Sequence, residues 1–127
     1  MTPLYFSPIY AGFPGIVEEV VEKKLDLNEF LIKNPEATYF LRVSGDSMVG
    51  AGIYNGDLLI VDRSQAVKSG DIIIASINGE FTVKRLEKKG DRFLLLPENS
   101  RYKSMMIHEE DDFLSWGKVI YVIHQAI

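Results

Sequence analysis

The chain has 127 residues, a formal net charge of −4, 46% apolar residues and no cysteine. That length fits one domain with a real core. An acidic chain gains nothing from counterion release on DNA, so direct nucleic-acid binding is not expected, and without thiols there is no disulfide, thiolate metal site or cysteine nucleophile.

No run approaches the ~20 apolar residues that span a bilayer, and no charged-then-apolar leader opens the chain. The expectation is a soluble, cytoplasmic protein with no membrane association, no metal and no cofactor. Residues 1–16 hold Pro3, Pro8 and Pro14, with Gly12 and Gly15 among them. Proline fixes φ and biases the residue before it toward extended geometry. Residues 1–17 therefore read as an arm without regular structure. Leu4, Tyr5, Phe6, Ile9, Tyr10 and Phe13 make it too apolar for a solvated tail, so it is expected to dock on its own domain or on a partner. Residues 18–127 read as one domain.

Residues 18–24 read as a short strand or an extended linker. Asp26-Leu27-Asn28-Glu29 has capping-box spacing and opens one short helix that Pro35 stops. Beyond residue 38 the pattern is β. Strands are expected over 38–43, 57–62, 71–77, 80–86, 92–96 and 117–124. Asn78-Gly79 joins two of them as the dipeptide that a type I′ hairpin turn requires. The fold class is mainly β: a compact, mostly antiparallel, partly closed barrel with one or two short helices and an extended N-terminal arm. The acidic run 109–112 reads as a solvated loop.

Two residues carry candidate chemistry. Ser47 lies in the turn Ser44-Gly45-Asp46-Ser47-Met48, just after an apolar strand. If Met48-Val49 opens a helical turn, the free backbone N–H groups of Ser47 and Met48 are placed to hold an oxyanion. Gly-Asp-Ser is also ordinary turn composition. A serine hydroxyl needs a base. His108 falls in the acidic loop and His124 near the end of the sequence, and both read as surface or packing residues. Lysine is the remaining base, and it works only when neutral, from a reference pKa of ~10.4. In Phe81-Thr82-Val83-Lys84-Arg85-Leu86, strand alternation puts Lys84 on one face with Thr82 and Leu86. From alternation alone, a lysine pointing to water is the simpler reading.

Taken together, the segments Tyr39-Phe40, Ser44-Gly45-Asp46-Ser47-Met48, Gly52-Ile53, Gly56-Asp57-Leu58-Leu59-Ile60-Val61-Asp62, Gly70-Asp71-Ile72 and Gly79-Glu80-Phe81-Thr82-Val83-Lys84 closely resemble the LexA/UmuD family of self-cleaving peptidases. Leu25-Asp26-Leu27-Asn28 and residues 35–40 lean toward its UmuD branch. The resemblance covers nearly the whole chain. It implies Ser47 as nucleophile, Lys84 as general base and Ala11-Gly12, followed by Phe13-Pro14, as the bond cut. It also implies a homodimer, self-cleavage stimulated by RecA on single-stranded DNA, and a shortened form that serves a UmuC-like Y-family polymerase in SOS translesion synthesis. The alternative is a non-catalytic, dimeric polymerase-binding module with a vestigial dyad. Two departures stand out: only eleven residues precede the bond, and it is Ala-Gly, as in LexA-type repressors, where some UmuD proteins have Cys-Gly. Eleven residues cannot hold a helix-turn-helix, so direct repression is not expected.

Overall fold

The computed structural model describes Thr2–Tyr5 and residues 22–126. By its contacts the chain divides into two compact units, Met1–Lys33 and Asn34–Ile127. In the first, β1 (Thr2–Tyr5) pairs antiparallel with β2 (Glu22–Leu25), in register from Thr2 with Leu25 to Tyr5 with Glu22. The expectation of an arm without regular structure is thus corrected at Thr2–Tyr5. Pro3 is compatible with a strand here because a two-stranded ribbon has only edge strands, where a missing N–H costs nothing when it faces outward. Residues 6–21 lie outside the described residues, and the Ala11-Gly12 bond with them.

Helix α1 (Leu27–Leu31) begins where the capping pattern predicts. The Asp26 carboxylate accepts from the N–H of Asn28 at 3.1 Å, satisfying one of the orphan donors of the first turn. The helix ends at Leu31, ahead of Pro35, which instead opens a single 3-10 turn over Pro35–Ala37.

The second unit is one seven-stranded sheet: β3 (Thr38–Arg42), β4 (Leu58–Asp62), β5 (Ile72–Ile77), β6 (Glu80–Lys89), β7 (Arg92–Leu96), β8 (Met105–Ile107) and β9 (Phe113–Ile123). Its order is β3-β4-β9-β5-β6-β7-β8 and every pairing is antiparallel. The expected class holds. The two ends, β3 and β8, do not pair with each other, so the sheet is not closed into a barrel. Asn78 (φ 51°) and Gly79 (φ 86°) make the β5–β6 turn with the left-handed backbone that their types favour.

Each face of the sheet carries a buried apolar cluster. One core gathers Val43, Met48, Ile53, Leu59, Val61 and Ile74, with Val83, Trp116 and Val119 packed against it. The other gathers Ile73, Ala75, Leu86 and Leu95, with Ile77, Ile107 and Phe113. A sheet built this way needs apolar residues at successive positions, which explains why β4 and β5 read as continuous apolar runs. β9 serves both cores because its pairing slips twice, once against Ile60/Val61 of β4 and once against Ile74/Ala75 of β5. Phe113 joins the second core while Trp116, Val119 and Val122 join the first. Gly117, at the second slip, has φ +127°, and a Cβ there would lie 2.9 Å from the Asp62 carbonyl oxygen. Only glycine fits that combination.

Candidate active site

The site forms where the sheet leaves an edge open. β7 pairs with β6 only from Arg85 onward, with Leu96 opposite Arg85. Past Leu96 the chain departs into the loop 97–102. Residues 80–84 of β6 are therefore paired with β5 alone. The serine turn lies beside that open stretch.

The turn is anchored from below by packing and from its sides by hydrogen bonds. Met48 is only 1% exposed in the first core, a burial worth roughly 1.5–3 kcal/mol. The Val43 N–H donates to the Asp57 carbonyl at 2.8 Å, and the Gly56 N–H to the Val43 carbonyl at 2.8 Å. The Gly45 N–H donates to Asn55 Oδ1 at 2.8 Å. Asp57 itself is buried, its carboxylate accepting from the Tyr54 N–H at 2.8 Å and facing His124 Nδ1 at 2.6 Å. Burial raises its pKa, but the bonds from Tyr54 and His124 outweigh that, and the net shift is downward. His124 thus packs at the root of the serine turn and His108 sits on the exposed surface, and among the described residues neither is bonded to Ser47.

From Ser47 the backbone continues into a 3-10 turn over Val49–Ala51, the helical turn that Met48-Val49 led one to expect. The Ser47 and Met48 N–H groups donate to none of the described residues. Lys84 reaches the serine from β6. Its Nζ stands 2.9 Å from Ser47 Oγ, 2.8 Å from Thr82 Oγ1 and 3.1 Å from the Val83 carbonyl oxygen. Thr82 is two residues away on the same face, as strand alternation requires. No carboxylate of the described residues makes an ion pair with Lys84. Burial lowers its pKa below the ordinary lysine value.

All three neighbours can accept, so they satisfy an ammonium with its three N–H bonds. An uncharged amine, with two N–H bonds and a lone pair, fits the same set when the Ser47 hydroxyl turns to donate. Beside the amine opens a cleft of about 860 Å³, walled by Phe81, Thr82, Lys84, Tyr102, Met105 and Met106 among others. Its apolar walls and open strand edge suit an extended peptide.

Residues 3–120 match the family described as Peptidase S24-like. The chain belongs to that family. Among the relatives of this S24-like chain, Protein ImpA of Escherichia coli is 45% identical over 124 residues, covering 98% of this chain and 84% of its own length. Protein SamA of Salmonella typhimurium is 43% identical over 124 residues, covering 98% and 86%. Protein MucA of Escherichia coli is 41% identical over 120 residues, covering 94% and 82%. These are UmuD homologues, so the resemblance drawn from the motifs is borne out. No helix among the described residues is long and apolar enough to cross a membrane, and no metal-ligating cluster occurs among them.

Sequence reasoning missed the loop 97–102, which binds the serine turn by four hydrogen bonds. The Glu98 N–H donates to the Ser47 carbonyl at 2.8 Å, and the Gly50 N–H to the Glu98 carbonyl at 2.6 Å. Asn99 Nδ2 donates to the Asp46 carbonyl at 2.9 Å and the Tyr102 hydroxyl to Asp46 Oδ1 at 2.5 Å. Two of these four bonds use backbone atoms of Glu98, which leave no mark in the residue types. The one legible trace is Gly50, where a Cβ would meet the Glu98 carbonyl oxygen at 2.5 Å.

Proposed function

We propose that this protein is a self-cleaving serine endopeptidase with Ser47 as nucleophile, Lys84 as general base and Ala11-Gly12 as the bond cut. The reading rests on one observation: a partly buried amine, with no carboxylate partner among the described residues, stands 2.9 Å from the serine hydroxyl. Neutral Lys84 takes the Ser47 proton while Oγ attacks the Ala11 carbonyl carbon. The oxyanion that forms is held by the N–H groups of Ser47 and Met48. Protonated Lys84 then gives its proton to the departing Gly12 amine. A water gives a proton to Lys84 and attacks the ester carbonyl; the Oγ–acyl bond breaks, residues 1–11 leave as a carboxylic acid, and Lys84 returns the proton to Ser47 Oγ. An extended segment carrying the Ala-Gly bond, from the same chain or a second copy, adds along residues 80–84 of β6. A proline biases the residue before it toward extended geometry, which Pro14 would do for Phe13, and the side chain of Ala11 is only a methyl group.

The UmuD-like relatives support the wider role. The protein acts as a homodimer in the bacterial cytoplasm. A RecA filament on single-stranded DNA stimulates its cleavage by favouring the docked state, without supplying a catalytic group. The shortened form is an accessory subunit of a UmuC-like Y-family polymerase in SOS mutagenesis.

Mass spectrometry of purified protein, incubated between pH 7 and pH 10 and separately with RecA filament, tests the reading. The expected product begins at Gly12 and is absent from Ser47→Ala. An intact chain under both conditions would leave a dimeric, polymerase-binding module. A Gly12 fragment from Ser47→Ala would reassign the nucleophile.

A further inference from the structure

The two halves of the dyad come from elements that do not pair with each other. Ser47 belongs to a turn and Lys84 to β6, 37 residues apart in sequence. Their contact joins two rotatable side chains, which cannot by themselves hold the turn against the strand. The loop 97–102 touches both. On one side Tyr102 and the Glu98 backbone grip Asp46, Ser47 and Gly50. On the other, the Glu98 carboxylate accepts from Arg85 Nε at 2.6 Å, one residue from Lys84. Arg85 is fixed in turn by donating to the Gly70 carbonyl at 2.6 Å.

Resting on the reading of Ser47 and Lys84 as the dyad, we propose that loop 97–102 is the positioning device of the site. In it Tyr102 acts through Asp46, and Glu98 acts through Arg85, to set the distance between serine and lysine. The Tyr102–Asp46 bond is charge-assisted and stronger than a neutral one. Asp46 is the residue before Ser47, so the bond limits rotation of the turn. Its carboxylate raises the Tyr102 pKa, which keeps the phenol a donor in alkaline solution, where neutral lysine is most abundant. Arg101 is the other charge acting on Tyr102 and opposes that shift. Around Lys84 the cleft holds Glu80, Lys103, His108 and Asp111, none of which pairs with it. With no counter-charge paired to it among the described residues, the Lys84 titration follows how well the turn covers the amine. A loosened loop lets the turn recede and admits water.

The test uses the full chain as wild type, Tyr102→Phe and Glu98→Ala. Two profiles are recorded against pH: the rate of self-cleavage, and the rate at which acetic anhydride acetylates Lys84, read by mass spectrometry. In Tyr102→Phe, cleavage at pH 8 should slow about tenfold, the scale of one lost positioning bond, and the midpoints of both profiles should move together to higher pH. Glu98→Ala should do the same. Unmoved midpoints in both variants, with or without a fall in melting temperature, would overturn the proposal by reducing the loop to a structural support. If the wild type does not cleave but its Lys84 titration moves in Tyr102→Phe, the positioning role stands and the peptidase reading fails.

Discussion

Asp62 and Lys84 are both withdrawn from water in this sheet, and they are treated in opposite ways. Asp62, at the end of β4, is fully buried. It accepts from the Ser64 hydroxyl at 2.6 Å, the Ser64 N–H at 2.8 Å, Asn34 Nδ2 at 2.9 Å and Gln65 Nε2 at 3.2 Å. The Ser64 hydroxyl bond contributes most to holding its pKa down at about 2, against the burial that pushes it up. Lys84 is less buried, yet its neighbours are two hydroxyls and a carbonyl, all neutral, and burial alone sets the direction of its shift. Burial disfavours charge at both positions. The surroundings differ: Asp62 is surrounded by donors that keep it ionised, and Lys84 has only neutral acceptors and no ion-paired carboxylate among the described residues. The first arrangement ties a strand end to its loop, and the second is the one we propose as a base.

The sharpest way to break the contrast is at the serine. Ser47→Ala should reduce self-cleavage by ~10³-fold or more while circular dichroism stays unchanged; retained cleavage would make Lys84 a mere strand lysine. The next test is pH. Because the folded pKa of Lys84 lies below its ordinary value, the neutral fraction grows as pH rises through that lowered value. Cleavage without any partner should climb about tenfold per pH unit below the midpoint and then level off. A flat rate from pH 7 to pH 10 would contradict it.

Asp62→Ala comes third, and acts on stability alone. It should cost about 2 kcal/mol at neutral pH by urea denaturation, the scale of charged hydrogen bonds lost with their donors stranded. The folded pKa is depressed, so the contribution is complete above the unfolded value of 3.8 and is lost as pH falls toward about 2. The gap between variant and wild type should close over that interval. The smallest effect belongs to Thr82→Val, which takes one acceptor from the Lys84 amine and leaves its contact with Ser47 in place. A slowing of roughly tenfold or less is expected, measured as cleavage rate at pH 9. A loss as large as that of Ser47→Ala would place Thr82 in the proton transfer itself.

Local rules carried much of the fold. The Asp26 cap, the Asn78-Gly79 turn and the apolar runs of β4 and β5 each declare themselves in a few neighbouring residues. What escaped depends on distant partners. β8 is three residues long, with no alternation of its own, and exists because β7 offers it an edge. β9 begins at Phe113 rather than 117, since Gly117 resembles a strand start and is an interior slip. At the site, sequence spacing placed Ser47 on a turn and Lys84 on a strand, but left the lysine facing water. The early departure of β7, which opens the edge where the serine turn lies, is a long-range event that no window around Lys84 records.

The two slips in β9 also bear on how this chain tolerates insertions and deletions. Each extra residue reverses which side of the sheet the following side chains face, and the second reversal undoes the first. Deleting the extra residue itself, Trp116 or Ile120, removes the slip and leaves every other side chain on its own side. Deleting Lys118, between the slips, instead makes Val119 and Val122 exchange sides with Tyr121, and the first core loses them. This strand should therefore accept the loss of one residue at a slip but not between the slips.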